Sequence, residues 1–566
     1  MSLLNDASLV LIPSGYKEDK VYSIIPSDGS GDLDFVRGSD GTRINSLGQV
    51  ENVCWNLIQY SNQFTSGAWV NDGVTATSGQ TGPTGASNGW RFNESNTNAR
   101  HRIYYSFFSF NSGIINQSIY VKSLGRDQIQ IGSNSLSETF IFTFSTQTIS
   151  SVVGYTSTNV ENVGNGWFRL SASFYAFSPI NLLFIQGYNG SDTYSGDTSK
   201  GFYAYGAQCN LGSTAKPYFP TTDRLNVPRL TYENGCPSLL LEKQSTNLCL
   251  WSEDFTNAVW NKYAAGTGSL PVITSNNAIS PDGTQNADTI FFDAGSGTTP
   301  SDQSQIYQNV GSVSGTYTFS FWAKTPSGTA QLQIRTVGGS SYTKFNITDT
   351  WQRFTVTETG TSPYIEILIR RGLNEPINSS ATIQMWGAQL EASAYPTSYI
   401  GTTSTSVTRL ADSCYKTGIS SLIGQTEGVL FIDFTWNQLS GTGNYPRVIE
   451  AWNNSSNYIQ LFTVAGNQQV YYEIANGGTI QFSGNTSMAL GRNKLAIAYK
   501  SNDCAFYKNG SLVAASTSAS IPTTNDLGVC SVYNGSTGAQ LSASVNEVLL
   551  FQSRLTNTEL AQLTTI

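Results

Sequence analysis

Charge is scarce in this chain. Only 12% of its 566 residues are charged, about half the ~25% of ordinary soluble domains. The 30 Lys and Arg against 38 Asp and Glu leave a net charge of −8, and no block of one sign stands out. No basic stripe is present to neutralise phosphates, which argues against a nucleic-acid partner. Histidine occurs once, at His101, so one chain cannot build a multi-histidine metal centre. A Ser-His-Asp triad would have to use this one histidine, and His101 is read instead as a surface or strand residue. The seven cysteines (Cys54, Cys209, Cys236, Cys249, Cys414, Cys504, Cys530) are odd in number and form no CxxC pair, so a zinc ribbon is unsupported. Cys504 and Cys530 could be bridged, but buried thiols are the expectation, because domains of this size need no staples. Met1 to Ile12 carries no cationic flank and no long apolar run. Neither a signal peptide nor a membrane-inserted helix is therefore expected. Heptads for a coiled-coil stalk are also missing.

What is present belongs to β-structure. Hydrophobic residues make up 39% and aromatics 12%, enough to fill cores, and the length exceeds the roughly 250–300 residues one core supports. Gly, Asn and Ser supply turns, while Thr, Val, Tyr and Phe favour strands. Apolar residues alternate with polar ones in "TYTFSFWAK" (Thr316–Lys324), "FIFTFST" (Phe140–Thr146) and "GVLFIDFTW" (Gly428–Trp436), the period of strands with one face in a core. "FYKNGSLVA" (Phe506–Ala514) reads as a hairpin with Asn509-Gly510 in a type I′ turn. Near the C-terminus Thr556 and Glu559 form the signature of a capping box opening a short helix.

An internal repeat organises the chain. "NLIQYSNQFTSGAWVND" (Asn56–Asp72) matches "NLCLWSEDFTNAVWNKY" (Asn247–Tyr263), pairing Asn56 with Asn247 and Trp69 with Trp260. In the same order, "SIYVKS" (Ser118–Ser123) matches "SFWAKT" (Ser320–Thr325), and Trp167 aligns with Trp351. Gly206-Ala207-Gln208 then falls on Gly387-Ala388-Gln389. The expected organisation is an N-terminal segment (1–52), a first jelly-roll β-sandwich (53–222), a connector (223–246), its second copy (247–402) and a different C-terminal domain (409–566).

Resemblance adds to this. "LVLIPSGYKEDKVYSIIPSDGSGDLDFVRGSDGTRINSLGQVENV" (Leu9–Val53) resembles a segment common at the start of bacteriophage fibre and tail-associated proteins. "VPRLTYENGCPSLLLEKQSTNL" (Val227–Leu248) resembles the segment that introduces jelly rolls in the same proteins. The C-terminal domain, with "AFYKNGSLVA" and "VNEVLLFQSRLTNTEL", is similar to concanavalin A-like (laminin G-like) sandwiches. The resemblance implies a virion appendage released by host lysis, trimeric as such fibres usually are. The N-terminal segment would contact other virion proteins, and the terminal sandwich would adhere to host polysaccharide. A purely structural head-fibre or tail-assembly role is the alternative. The concanavalin-like fold hosts lectins, hydrolases and structural modules alike.

Catalysis has little support in the residues. A retaining glycosidase needs two carboxylates about 5 Å apart, whereas Glu427, Asp433, Glu450, Glu473, Asp503, Asp526, Glu547 and Glu559 are scattered along the C-terminal domain. The polysaccharide-depolymerase reading is disfavoured and the chain is read as no enzyme. Sugars stack their C–H faces on aromatic rings with polar groups alongside. Trp69, Trp167, Trp260 and Trp351 recur in both copies and read as core. The glycan candidates are the unrepeated Trp452, Tyr458, Tyr445 and Tyr533. No cofactor is expected beyond a weak structural Ca²⁺ candidate at Asp282 and Asp288, whose counterpart stretch in the first copy lacks the acids. Asp28, Asp32 and Asp34 have the spacing of a calcium loop, but a solvated turn accounts for them as well.

Overall fold

The computed structural model describes residues 3–105, 113–133, 137–176, 183–311, 314–336, 342–361, 364–372, 378–437, 445–464, 466–535 and 539–566. The protein is all-β, with 54% strand and 2% helix, and its sheets are antiparallel. It divides into two compact units, Cys54–Arg224 and Met1–Val53 with Leu225–Ile566.

The unit Cys54–Arg224 is a sandwich of two six-stranded sheets. One sheet runs from Trp69–Asp72 to Thr148–Val153, the other from Ser157–Gly164 to Val74–Gln80. Phe64, Phe92, Phe140, Phe142, Phe174 and Phe202 fill the space between them. The second unit contains a sandwich of two five-stranded sheets closed around Phe292, Phe319, Phe321, Ile334, Ile367 and Ile383.

Both sandwiches are built on the same polar bonds. Asn56 donates to the carbonyls of Ala207 (3.1 Å) and Phe219 (2.9 Å) and accepts from the amides of Ile58 and Cys209. Asn247 donates to Ala388 (3.1 Å) and Ile400 (2.8 Å) and accepts from Cys249 and Leu390. Trp69 Nε1 donates to the Tyr60 carbonyl, and Trp260 Nε1 to that of Trp251. A register shift falls between Ser118 and Tyr120 in one copy and between Ser320 and Trp322 in the other. On the paired strands, Gly206 and Gly387 take positive φ (60° and 69°). A Cβ at Gly206 would press on Tyr218, and one at Gly387 on Trp322, so only glycine suits the bend. Of the four recurrent tryptophans, Trp69, Trp167 and Trp260 are buried. Trp351 is half-buried, with Lys324 over its ring and its Nε1 donating to the Ile279 carbonyl.

The C-terminal sandwich draws on more of the chain than 409–566. Leu9–Leu11 pairs with Ala543–Phe551, and the connector hairpin Arg229–Glu233/Cys236–Leu241 joins the same eight-stranded sheet. Leu33–Val36 pairs with Ser413–Lys416 in the opposing nine-stranded sheet. The N-terminal segment, expected as a separate virion-attachment element, is thus strand and core of this domain, with Leu9, Leu11, Val21, Leu33 and Phe35 in its hydrophobic cluster. Apolar alternation in short strands cannot reveal which distant sheet they join.

A buried charge network ties these stretches together. Arg229 reaches Glu242 (2.7 Å) and Asp412, Arg37 reaches Asp412 (3.0 Å), and Arg409 reaches Glu242 (3.0 Å). Burial alone would raise the Glu242 pKa, but Arg409 and Arg229 outweigh it and hold the group down at about 2. Breaking such a network by removing one partner costs about 3–5 kcal/mol.

Local signals appear as read. Asn509 and Gly510 both have positive φ (49° and 83°) between Cys504–Lys508 and Ser511–Ser516. Helix Asn557–Thr564 opens with Thr556 and Glu559 in a reciprocal capping box. Cys54, Cys209, Cys249, Cys414, Cys504 and Cys530 are buried, and burial pushes Cys209 up to about 12, whereas Cys236, in the connector hairpin, is exposed and departs from the expectation of buried thiols.

Candidate functional site

Five strands of the nine-stranded sheet form one polar and aromatic surface in the order Asp526–Val529, Arg447–Asn454, Asn457–Thr463, Gln469–Asn476 and Thr479–Ser487. Their sequences alternate, so Ile449, Ala451, Ile459, Leu461, Val470, Tyr472 and Ile474 enter the core while the intervening residues face outward. The hairpin turn at Asn454–Asn457 sets the register, Asn454 Oδ1 accepting from the Ser456 amide.

In this register the outward residues form three cross-strand rows. The first is aromatic. Tyr458 stacks on Trp452 at 5.1 Å between ring centres and 11° between planes, and Tyr533 stacks on it at 5.0 Å and 9°. The two tyrosines lie over opposite neighbours of the Trp452 strand. Tyr458 sits on the adjacent strand itself, and Tyr533 lies over Gly528, where a Cβ would meet the Tyr533 amide nitrogen at 2.9 Å. The second row is polar: Glu450 pairs with Gln460, and Gln460 with Glu473. The third holds Phe462 opposite Tyr471, stacked at 5.2 Å and 18°, with Arg447 5.7 Å from the centre of Phe462. Tyr445, 60% exposed, sets its edge against Phe462 at 5.8 Å.

Electrostatics favour the polar row as the floor. Glu450 is 1% exposed and accepts from Arg447 Nε (2.8 Å) and the Tyr533 amide (2.6 Å). Burial raises its pKa, and Arg447 opposes that only in part. Gln460 is 6% exposed, and its side-chain oxygen is buried without a hydrogen-bond partner. Glu473 accepts from the Tyr458 hydroxyl, whose pKa is raised by burial and by that carboxylate. The surface thus offers aromatic edges and flanks on either side of the half-buried Glu473 carboxylate, with Glu450 and the Gln460 oxygen buried beneath it.

All four sequence candidates lie on this surface, with Trp452, Tyr458 and Tyr533 in one stack and Tyr445 in the other group. Tyrosines cover both faces of Trp452, so its ring face is not open to a sugar as expected. The exposure left on these half-buried rings is edge and flank. Sequence reasoning treated Glu450 and Glu473 as scattered, but the register sets them in one row. It missed Gln460, Phe462, Tyr471 and Arg447 altogether. The alternation of "RVIEAWNN", "NYIQLFT" and "QVYYEIAN", folded at the Asn-Ser-Ser-Asn turn, was the signal available.

Asp282 and Asp288 do not converge on a cation. Asp288 accepts from the Phe255 and Asn276 amides. Asp282 accepts from Ser280, Thr284 and Asn286 within its own turn. Among the described residues no group of three or more His, Cys, Asp or Glu could hold a metal ion. Asp28 closes a local turn through the Ser30 amide and hydroxyl, Asp32 accepts from Ser23, and Asp34 pairs with Lys20. His101 is fully buried, its ring nitrogens 2.8 Å from the Gly73 carbonyl and 3.1 Å from that of Tyr194. It pins two stretches of backbone and is no surface residue.

Fold and site together define a protein of several β-sandwiches, the last bearing one ordered aromatic and carboxylate surface. No protein-family model matches the chain, and no curated protein matches it. Solved structures similar to part of it include the CBM40 of the Ruminococcus gnavus IT-sialidase bound to α2,3-sialyllactose. That match has 13% identity and a TM-score of 0.23, over 26% of this chain and 86% of that one. The NanB sialidase of Streptococcus pneumoniae matches at 15% identity and a TM-score of 0.23, over 27% of this chain and 26% of that one. A leech intramolecular trans-sialidase matches at 13% identity and a TM-score of 0.22, covering 25% and 24% of the two chains.

Proposed function

We propose that the C-terminal sandwich is the glycan-binding head of a bacteriophage appendage, and that the protein adheres to host surface polysaccharide without cleaving it. The observation carrying this reading is the arrangement of two aromatic groups about the Glu450–Gln460–Glu473 row. Ring flanks suit sugar C–H faces, and the partly exposed Glu473 carboxylate suits sugar hydroxyls. The phage-type segments Leu9–Val53 and Val227–Leu248 support the setting. Hydrolysis is set aside for two reasons. Glu450 and Glu473 stand two strand spacings apart, about 9–10 Å at the backbone, too far for a retaining pair, and Gln460 occupies the place between them where an inverting pair holds its water. Each carboxylate is also engaged by its own partner.

The test uses the full chain, because strands from Leu9–Val36 and Arg229–Leu241 belong to the sandwich that bears the site. Saturable binding to host polysaccharide is expected, with affinity lost about tenfold or more in Trp452→Ala, since removal of Trp452 leaves both tyrosines unsupported. Binding equally strong in the variant, or none by either protein, rejects the reading.

A further inference from the structure

A cavity of about 330 Å³ lies within the unit that holds the second and C-terminal sandwiches, at the small end of ligand cavities (about 300–1,000 Å³). The second sandwich supplies Trp322 and Arg353 to its wall. The N-terminal hairpin supplies Arg43, the connector Glu242, and the C-terminal sandwich Asn437 and Ser542. Two of its charges are neutralised in place. Arg43 pairs with Glu51 at 2.9 Å, and Glu242 is held by Arg229 and Arg409.

Arg353 differs. Its guanidinium lies 4.5 Å from the centre of the Trp322 ring, and it donates to the Thr397 carbonyl (2.7 Å) and the Ser320 hydroxyl (2.9 Å). Its Nε is buried without a partner, and no carboxylate among the described residues pairs with it. Around this joint the guanidinium groups of Arg37, Arg43, Arg229, Arg353 and Arg409 meet four carboxylates, those of Glu51, Glu242, Glu391 and Asp412. Glu391 is fully buried and tied to Ser245, Gln389 and Thr397. Burial lowers the Arg353 pKa, and Glu391 and Glu242 support its charge only in part.

We propose that this cavity binds a small oxyanion, a carboxylate or phosphate no larger than a sugar acid, anchored by Arg353. The planar fork has N–H groups left after its two protein bonds, and such groups match oxyanions. The loop-tying role alone does not account for the enclosure. Arg169, its counterpart in the first sandwich, makes the same bonds to the Ser118 hydroxyl (3.2 Å) and the Lys216 carbonyl (2.5 Å) and sits over Tyr120. Over Arg353, the N-terminal hairpin and the connector add walls to those bonds.

Calorimetric titration of the full chain with sodium glucuronate, sodium phosphate and neutral glucose, at constant ionic strength, tests this. One saturable site for glucuronate or phosphate is expected, and the stronger of the two names the anion. Glucose should give no signal. Arg353→Met should weaken binding at least about tenfold, while Arg169→Met leaves it unchanged. Should Arg353→Met not fold, Asn437→Trp at the exposed rim must block the site while preserving the unfolding transition. Failure of both anions to bind, an equal response to glucose, or binding that survives either block overturns the proposal.

Discussion

The two homologous sandwiches share their hydrogen bonds and differ in what surrounds them. Tyr120, Tyr205 and Tyr218 cluster in the first, with ring centres 5.3–6.3 Å apart, and are half-buried. Trp322, Trp386 and Tyr399 occupy the same places in the second at 4.5–5.6 Å and are buried, packed with Val50 and Ile44 of the N-terminal hairpin. The Ser61–Tyr218 hydroxyl pair recurs as Ser252–Tyr399. One scaffold thus tolerates an exchange of tyrosines for larger apolar rings when another strand pair is laid on the cluster. The polar bonds keep the chain's path, while the ring types follow the degree of burial.

Truncating one ring in each copy should break the symmetry most. Trp386→Ala should cost about 4 kcal/mol, the cost of emptying a buried indole site, and Tyr205→Ala about half of that. Hydrogen-exchange protection of peptides from each sandwich would read the two separately, and equal losses would contradict the difference in burial. Next, Asn56→Ala and Asn247→Ala should each cost about 3 kcal/mol, because each strands two carbonyls and two amides. Here the copies should agree, and unequal losses would show that the shared bonds carry different weight.

The smallest contrast is in pH response. Burial, with Asp282 adding to it, raises Glu253 in the second sandwich to about 7, and burial raises Asp288 to about 6. The equivalent of Glu253 in the first copy is Asn62, whose side chain donates to the Asn88 carbonyl. A carboxyl raised on folding contributes stability that is complete below its unfolded value near 4.5 and is lost as pH rises through 7. The second sandwich should therefore lose on the order of 2 kcal/mol between pH 5 and 8, less than the full shift implies because Glu253 is partly exposed. Glu253→Gln should remove the loss between about pH 6 and 8 and leave the Asp288 share below it, and protection of the first sandwich should not follow either. A variant that still loses stability between about pH 6.5 and 8 would assign the effect elsewhere.

Much of the architecture was legible in the residues because it rests on local periods. Two-residue alternation announced the strands, Asn509-Gly510 the hairpin, Thr556 with Glu559 the helix cap, and Asn56 with Asn247 the repeat. The partnership of Leu9–Leu11 with Ala543–Phe551 was not legible. A three-residue apolar strand fits the edge of any sheet, and only the assembled core selects one. The candidate surface was half legible. Its rings were named one by one, but the polar row was invisible because Glu450 and Glu473 become neighbours only through the strand between them.

By itself the sequence determined the all-β class, the repeat and which residues could face outward, since these follow from side-chain alternation and turn chemistry along a few residues. Only the tertiary structure decided that tyrosines cover Trp452 on both sides, that His101 is buried, and that Arg353 lines a cavity with no ion-paired carboxylate among the described residues. Each of these depends on cross-strand register and on burial, and both arise from contacts between residues far apart in the chain.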